Sequence, residues 1–184
     1  MLAPFIISIR YKIFTFKVVL ITMEQFPLNV GITELRGIIK IIKDNSNKIT
    51  LSKLAEESNK DIDTLLPLLN AGRMLNLLII KDGEVSTTES GKSLNIKNIA
   101  NIIGVQLIKL EPFKTVMEEL KNSDKTTDEL AAKLASSNIN LGVENQAAKL
   151  RELLIKWGVR TKLVSYDRKK DLWSIYKTVP IQQN

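Results

Sequence analysis

From Gly31 onward the apolar residues return at helical intervals. Ile32, Leu35, Ile38, Ile39 and Ile42 fall on one face, and the polar run DNSNK ends the pattern. Thr50 has the side-chain oxygen that an N-cap requires, and the short stretch after it presents Leu51, Leu54 and Ala55. A third helix carries Leu65, Leu66, Leu68 and Leu69, with Asp61 and Asp63 both competent to cap it. Pro67 bears on that choice, because a proline beyond the first turn removes a backbone donor and crowds the carbonyl four residues back. Capping at Asp63 brings the clash to the helix boundary, so the pattern predicts a late start.

After Gly72 and Asn76 the run LLIIK leads to Asp82-Gly83, and EVSTT returns. This pair tolerates the positive φ angles of a tight type I′ turn. Three helices followed by a hairpin is the order of a winged-helix domain, expected over residues 31–94. NIKNIANIIGVQLIKL then reads as a connecting helix within 95–111, and Pro112 resets the chain for FKTVMEELKN.

The pattern then begins again at an offset of about 76 residues. TTDELAAKLASS parallels ITLSKLAEES, with Leu130 and Leu134 placed as Leu54 is. ENQAAKLRELLIKWG is the counterpart of the third helix, with Ala147, Leu150, Leu154 and Trp157 on one face. KLVSYDRKKDLWSIYK is a second hairpin. The expected fold is therefore mainly α in the α+β class: tandem winged-helix domains, the second over 112–178, joined by a connecting helix where their apolar faces meet.

The segment MLAPFIISIRYKIFTFKVVLIT stands apart, being aromatic, β-branched and free of acid. A spanning helix needs about 20 mostly apolar residues, and Arg10, Lys12 and Lys17 interrupt this one at its centre. A secretory signal would place its charges before the apolar stretch. The reading adopted is that translation starts at Met23, with MEQFPLNVGITELRG as the N-terminus. The rest reads as a cytoplasmic globular chain with no membrane span.

Composition narrows the chemistry sharply. The 184 residues include no Cys and no His, which removes thiol nucleophiles, disulfides, imidazole bases and the usual zinc ligands together. The paired carboxylates Glu56-Glu57, Asp61/Asp63 and Glu118-Glu119 fall on expected solvent faces or helix starts, where acids oppose the helix dipole. Gly91-Lys92-Ser93 resembles the tail of a phosphate-binding loop, but Ser86 occupies the place of the loop's first glycine. A helix start capped by Thr88 or Ser90 explains it better. No catalytic, cofactor or metal residues are assigned, and the expectation is a nonenzymatic protein without a cofactor.

The net charge of +7 invites a nucleic-acid reading, but its distribution argues against one across most of the chain. Residues 1–22 carry +3, residues 23–110 only +1, and residues 111–184 carry +3. In helix-turn-helix proteins the start of the third helix meets DNA. Here that turn is NKDIDT, whose aspartates repel phosphate, and the first wing, KDGE, is neutral. The second half is better furnished. Lys149, Arg151 and Lys156 lie on its third helix, Arg160 and Lys162 follow, and Arg168, Lys169 and Lys170 form the hairpin tip, diluted by Glu144, Glu152, Asp167 and Asp171. These eight cations are the candidate contacts for DNA or another anionic partner.

Two stretches carry a family resemblance: DTLLPLLNAGRMLNLLIIKDGEVSTTESGKSL, and LLIKWGVRTKLVSYDRKKDLWSI with its Trp157-Gly158 step. From about Ile38 to Tyr176 the chain resembles the AAA-associated C-terminal domain that follows the ATPase domain in ATP-binding subunits of nitrate/sulfonate/taurine-type ABC transporters. The resemblance implies a noncatalytic accessory or regulatory module and supplies no catalytic residues. It departs from that pattern in two ways: no ATPase loop or signature motif occurs in these residues, and the DRKKD tip is more basic than the family's. The expected function is binding of a protein partner, either a separately encoded ABC-type ATPase or a second copy in a homodimer. The alternative is a DNA-binding transcriptional regulator that uses the second half.

Overall fold

In a computed structural model the chain is described over residues 25–142 and 144–177. The readings of residues 1–22, of a start at Met23 and of Thr178 as the end of the second half lie outside those residues.

The apolar stripe from Ile32 forms helix α1, Ile32–Asp44, and all five of its stripe residues are buried. Strand β1, Lys48–Thr50, leads into α2, Leu51–Ser58, whose first turn is capped where Thr50 Oγ1 accepts the Lys53 N–H. Helix α3 follows at Ile62–Met74, then strands β2, Leu78–Lys81, and β3, Glu84–Thr87. Asp82 and Gly83 between the strands have φ of 51° and 76°, the signs a type I′ turn demands. A short α4, Glu89–Ser93, and α5, Ile99–Leu107, make the connection.

The second half is α6, Phe113–Leu120; β4, Lys125–Thr126; α7, Thr127–Ser136; α8, Gln146–Leu153, continued by a π-helical turn at Leu154–Val159; and the strands β5, Val164–Asp167, and β6, Leu172–Ile175. The fold is mixed α+β, with eight α-helices among the described residues. Each half contributes one three-stranded antiparallel sheet, ordered β1-β3-β2 and β4-β6-β5. The same element order and the same sheet topology therefore occur twice.

The repeat is not a constant shift. Thr50 and Thr126, the caps of α2 and α7, are 76 residues apart, and Glu129 completes a capping box at the second. The ends of the third helices are 86 apart, because a longer loop intervenes between α7 and α8 than between α2 and α3. There the correspondence is close. Asn76 and Lys162 both adopt left-handed φ, 55° and 56°, and the next amides, Leu77 and Leu163, donate to Gly72 and Gly158 at 2.8 and 2.9 Å. This is the Schellman closure of a helix C-terminus. It explains both glycines: a Cβ on Gly72 would stand 2.5 Å from Leu78 Cδ1, and one on Gly158 2.8 Å from Val164 Cγ2.

Three expectations need correction. The cap of α3 is Asp61, whose carboxylate accepts the Thr64 N–H at 2.7 Å, so the helix begins early and Pro67 lies inside it. The carbonyl that Pro67 leaves without a donor belongs to exposed Asp63, where water can replace the lost bond. Leu66 is not a core residue: Leu65, Leu68 and Leu69 face inward, while Leu66, about a hundred degrees round from Leu65, is half exposed. The connecting helix is shorter than its sequence pattern, because Asn95 and Asn98 exchange side-chain and backbone hydrogen bonds and hold 95–98 as a loop before Ile99.

One hydrophobic core runs through both halves. The connecting helix takes part, with Gly104 set against Leu163 and Thr161, and with Ile103 and Leu107 buried. Residues 25–30, ahead of α1, are a second junction. Phe26 is buried edge-on between Phe113 and Trp157, at ring-centroid distances of 5.4 and 5.0 Å. Trp157 Nε1 donates to the Val30 carbonyl at 2.9 Å, and Gln25 Nε2 donates to the Asn140 carbonyl at 2.6 Å.

Candidate functional site

Among the described residues no group of acids is placed to hold a metal ion. One carboxylate of each pair singled out from the sequence has a local partner: Asp61 caps α3, Glu57 accepts from Asn45 at 2.7 Å, and Glu119 pairs with Lys133 at 3.0 Å. The Gly-Lys-Ser step lies in α4, where Thr88 Oγ1 caps the helix by accepting the Gly91 N–H at 3.1 Å. Gly91 packs directly on the Leu77 carbonyl, so a packing contact accounts for the glycine.

The eight candidate cations fall into different surroundings. Arg151 is committed internally: Nη2 lies 3.0 Å from Asp171 Oδ1, and its guanidinium stands 6.0 Å from the Tyr166 ring. Asp171 Oδ1 also accepts the Thr127 hydroxyl at 2.8 Å and the Tyr166 hydroxyl at 2.7 Å. Trp173 Nε1 closes the network on Thr127 Oγ1 at 2.9 Å, and its ring stacks on Tyr166 at 4.2 Å. Lys156 pairs with Glu152 at 2.6 Å, and Lys149 folds against Gly142. Lys162 holds its ammonium 6.0 Å from the Tyr176 ring. Arg160 is exposed on the turn after the π-helical segment.

Arg168, Lys169 and Lys170 form the exposed turn between β5 and β6. Asp167 Oδ1 accepts the backbone amides of Lys169 and Lys170 at 2.9 and 3.3 Å, which orders the turn. Of the eight candidates, only these three form a group of exposed cations without ion-pair partners among the described residues.

The Arg151–Asp171 network gives a pH prediction. The Tyr166 hydroxyl, then Thr127 and Arg151, hold the Asp171 carboxyl below the ordinary carboxylate range, while desolvation opposes them. A group with a lowered folded pKa stabilises the fold above its unfolded pKa of about 3.9, and that contribution is lost as pH falls through the lowered value. Asp171→Asn tolerates the residue's left-handed φ of 49°, so it isolates the charge. The variant melts below the wild type at pH 7, and the gap narrows below about pH 4. Melting curves from pH 2 to 7 measure it, and a gap independent of pH would contradict the assignment.

The half with fewer cations offers a different surface. On α3 the outward positions Ile62 and Leu66 are one turn apart and 43% and 49% exposed. Leu66 and Pro67, with Ile80 of β2 and Pro27, line an open cleft of about 620 Å³. Beside it Asp61 and Asp63 line a smaller one. The hydrogen bonds from Thr64 hold the Asp61 carboxyl below its ordinary range, so it is anionic at neutral pH. The outer face of this helix and hairpin is thus apolar with an acidic edge. The sequence signal was present in Leu66, which the periodicity grouped with the core leucines of the same helix, and in Pro67, which bore only on where that helix starts.

The profile of the C-terminal AAA-associated domain matches residues 52–167, more than half of the sequence. The chain belongs to the C-terminal AAA-associated domain family. The AAA-associated match runs from α2 to the end of β5, so it contains the α3 face and stops just before Arg168. No curated protein and no solved structure matches this AAA-associated chain. Among the described residues, no helix is long and apolar enough to cross a membrane.

Proposed function

We propose that this AAA-associated chain is a nonenzymatic cytoplasmic module of two tandem winged-helix domains, divided at the connecting segment 95–111, that acts by binding a protein partner. The partner favoured is an ABC-type ATPase encoded separately, of the transporter class whose subunits carry such a domain. The observation that carries the reading is the outer face of α3 and β2. Where a winged-helix DNA reader carries cations and hydrogen-bonding side chains, this chain has Ile62, Leu66, Pro67 and Ile80 edged by Asp61 and Asp63. An apolar centre with a charged rim suits a protein surface and repels the phosphate backbone.

Affinity capture with wild type and with Ile62→Asp/Leu66→Asp tests the reading. Both positions are exposed, so the double variant folds. The expected result is a protein retained by wild type and lost by the variant. Recovery of nucleic acid alone, or of the same proteins by both baits, would overturn it.

The exposed Arg168-Lys169-Lys170 tip supports a second reading, contact with duplex DNA by the second half. It requires affinity that falls steeply with salt and falls further when all three are replaced by Glu.

A further inference from the structure

A second surface is unlike the α3 face in charge. Between the outward side of α1 and the loop at 94–97 lies an open cleft of about 690 Å³; among the described residues its cations are Arg36, Lys40, Lys43 and Lys97 and its single acid is Asp44. Lys43 is spent internally, its Nζ donating to the carbonyls of Lys92 at 2.7 Å and Leu94 at 3.3 Å. Arg36, Lys40 and Lys97 have no side-chain partner among the described residues.

Ile39 and Leu94 floor the cleft but are buried, so the apolar surface it offers is chiefly Ile96. Ile96 is 71% exposed, and the loop that presents it is firmly built. Asn95 Oδ1 accepts the Lys97 amide at 2.8 Å, and Asn98 Nδ2 donates to the Ser93 carbonyl at 2.8 Å. The isoleucine is therefore held outward at the rim.

Gly37 is the third observation. It lies in the middle of α1, exposed, and a Cβ built on it would find no atom within 4 Å. Glycine inside a helix is unfavourable relative to alanine, and internal packing gives no reason for it here. What its missing side chain does is leave the cleft open between Arg36 and Lys40.

We infer that this cleft binds an acidic amphipathic helix of a partner protein, with its apolar side against Ile96 and its carboxylates on Arg36, Lys40 and Lys97. Arg36 and Lys40 are one helical turn apart, about 6 Å along the axis, the spacing of acids four apart on a facing helix. Among the described residues no aromatic side chain lines the cleft to stack a base, which favours peptide over single-stranded nucleic acid. The inference rests on the protein-binding reading, but it assigns a different surface and can fail separately.

The test is a titration of the isotope-labelled full chain, followed by amide shifts. The probes are a synthetic amphipathic peptide with Leu and Ile on one face and Glu four apart on its flanks, the same peptide with Gln for Glu, inorganic polyphosphate and a DNA duplex. The acidic peptide is expected to shift Arg36, Lys40, Ile96 and Lys97, and the Gln peptide to bind at least about tenfold more weakly. Gly37→Leu is the decisive variant: it raises the thermal midpoint, because leucine is the better helix former, yet loses the peptide. Arg36→Glu/Lys40→Glu loses it as well, while Ile62→Asp/Leu66→Asp binds it as wild type does. Absence of shifts at those residues, equal shifts from polyphosphate or duplex, or wild-type affinity in Gly37→Leu would overturn the assignment.

Discussion

Trp157→Ala lowers the stability of the whole chain by about 3–5 kcal/mol, the range for removing a fully buried tryptophan. The indole has no solvent exposure and sits at the end of α8, in the π-helical turn. Its ring meets Phe26 edge-on at 5.0 Å, and Phe26 in turn meets Phe113. Its Nε1–H satisfies the Val30 carbonyl, a bond between residues 127 positions apart. Alanine therefore opens a cavity where the two halves share their core and also leaves the Val30 carbonyl without its donor. Trp157→Phe keeps most of the volume and loses only the hydrogen bond, so it falls between the two. Urea unfolding followed by circular dichroism measures both variants, and an alanine variant with wild-type stability would refute this packing.

Gly91→Ala is the second large effect, expected to cost at least about 1–3 kcal/mol, the range for forcing volume into a packed site. A Cβ there would meet the carbonyl oxygen of Leu77, with Thr87 Cβ a further 3.2 Å contact. The obstructing atom belongs to the backbone that starts β2 and that accepts the Thr88 amide at 3.0 Å. It cannot swing away as a side-chain end could, so α4 must shift off the hairpin. Gly37→Ala has the opposite sign, a gain of about 0.5–1 kcal/mol, because its methyl enters open space. Thermal melts of the two single variants give the comparison. A Gly91→Ala protein as stable as wild type would mean that α4 does not pack on Leu77 as described.

These two glycines show where the sequence was readable and where it was not. Periodicity placed α1, α2 and the first hairpin almost to the residue, because each stripe has one buried face and a polar stop. Thr50 and Asp82-Gly83 announced themselves by local chemistry that acts within three or four residues. Asp61 and Asp63, by contrast, are equivalent caps in sequence, and the choice depends on how Pro67 is accommodated. The roles of Gly91 and Gly37 depend on what stands opposite each, a long-range fact invisible in a string. Phe26 and Val30 were missed for the same reason, since their partners lie in the second half.

The candidate cations divide along the same line. Composition revealed their number but not their engagement: Asp171 occupies Arg151, and Glu152 occupies Lys156. What is left for DNA is the 168–170 turn and isolated neighbours. The apolar face of α3 and the cleft beside α1 were hidden, because exposed Leu66 and Ile96 look in sequence like core residues.

Site-specific photocrosslinking in the cells of origin tests the central claim most directly, with a crosslinking amino acid placed at Leu66 in one protein and at Lys169 in another. A protein that works through the outer face of α3 yields a discrete protein adduct from position 66 and none that matches it from position 169. Nucleic-acid adducts from position 169, with no protein adduct from position 66, would contradict the account.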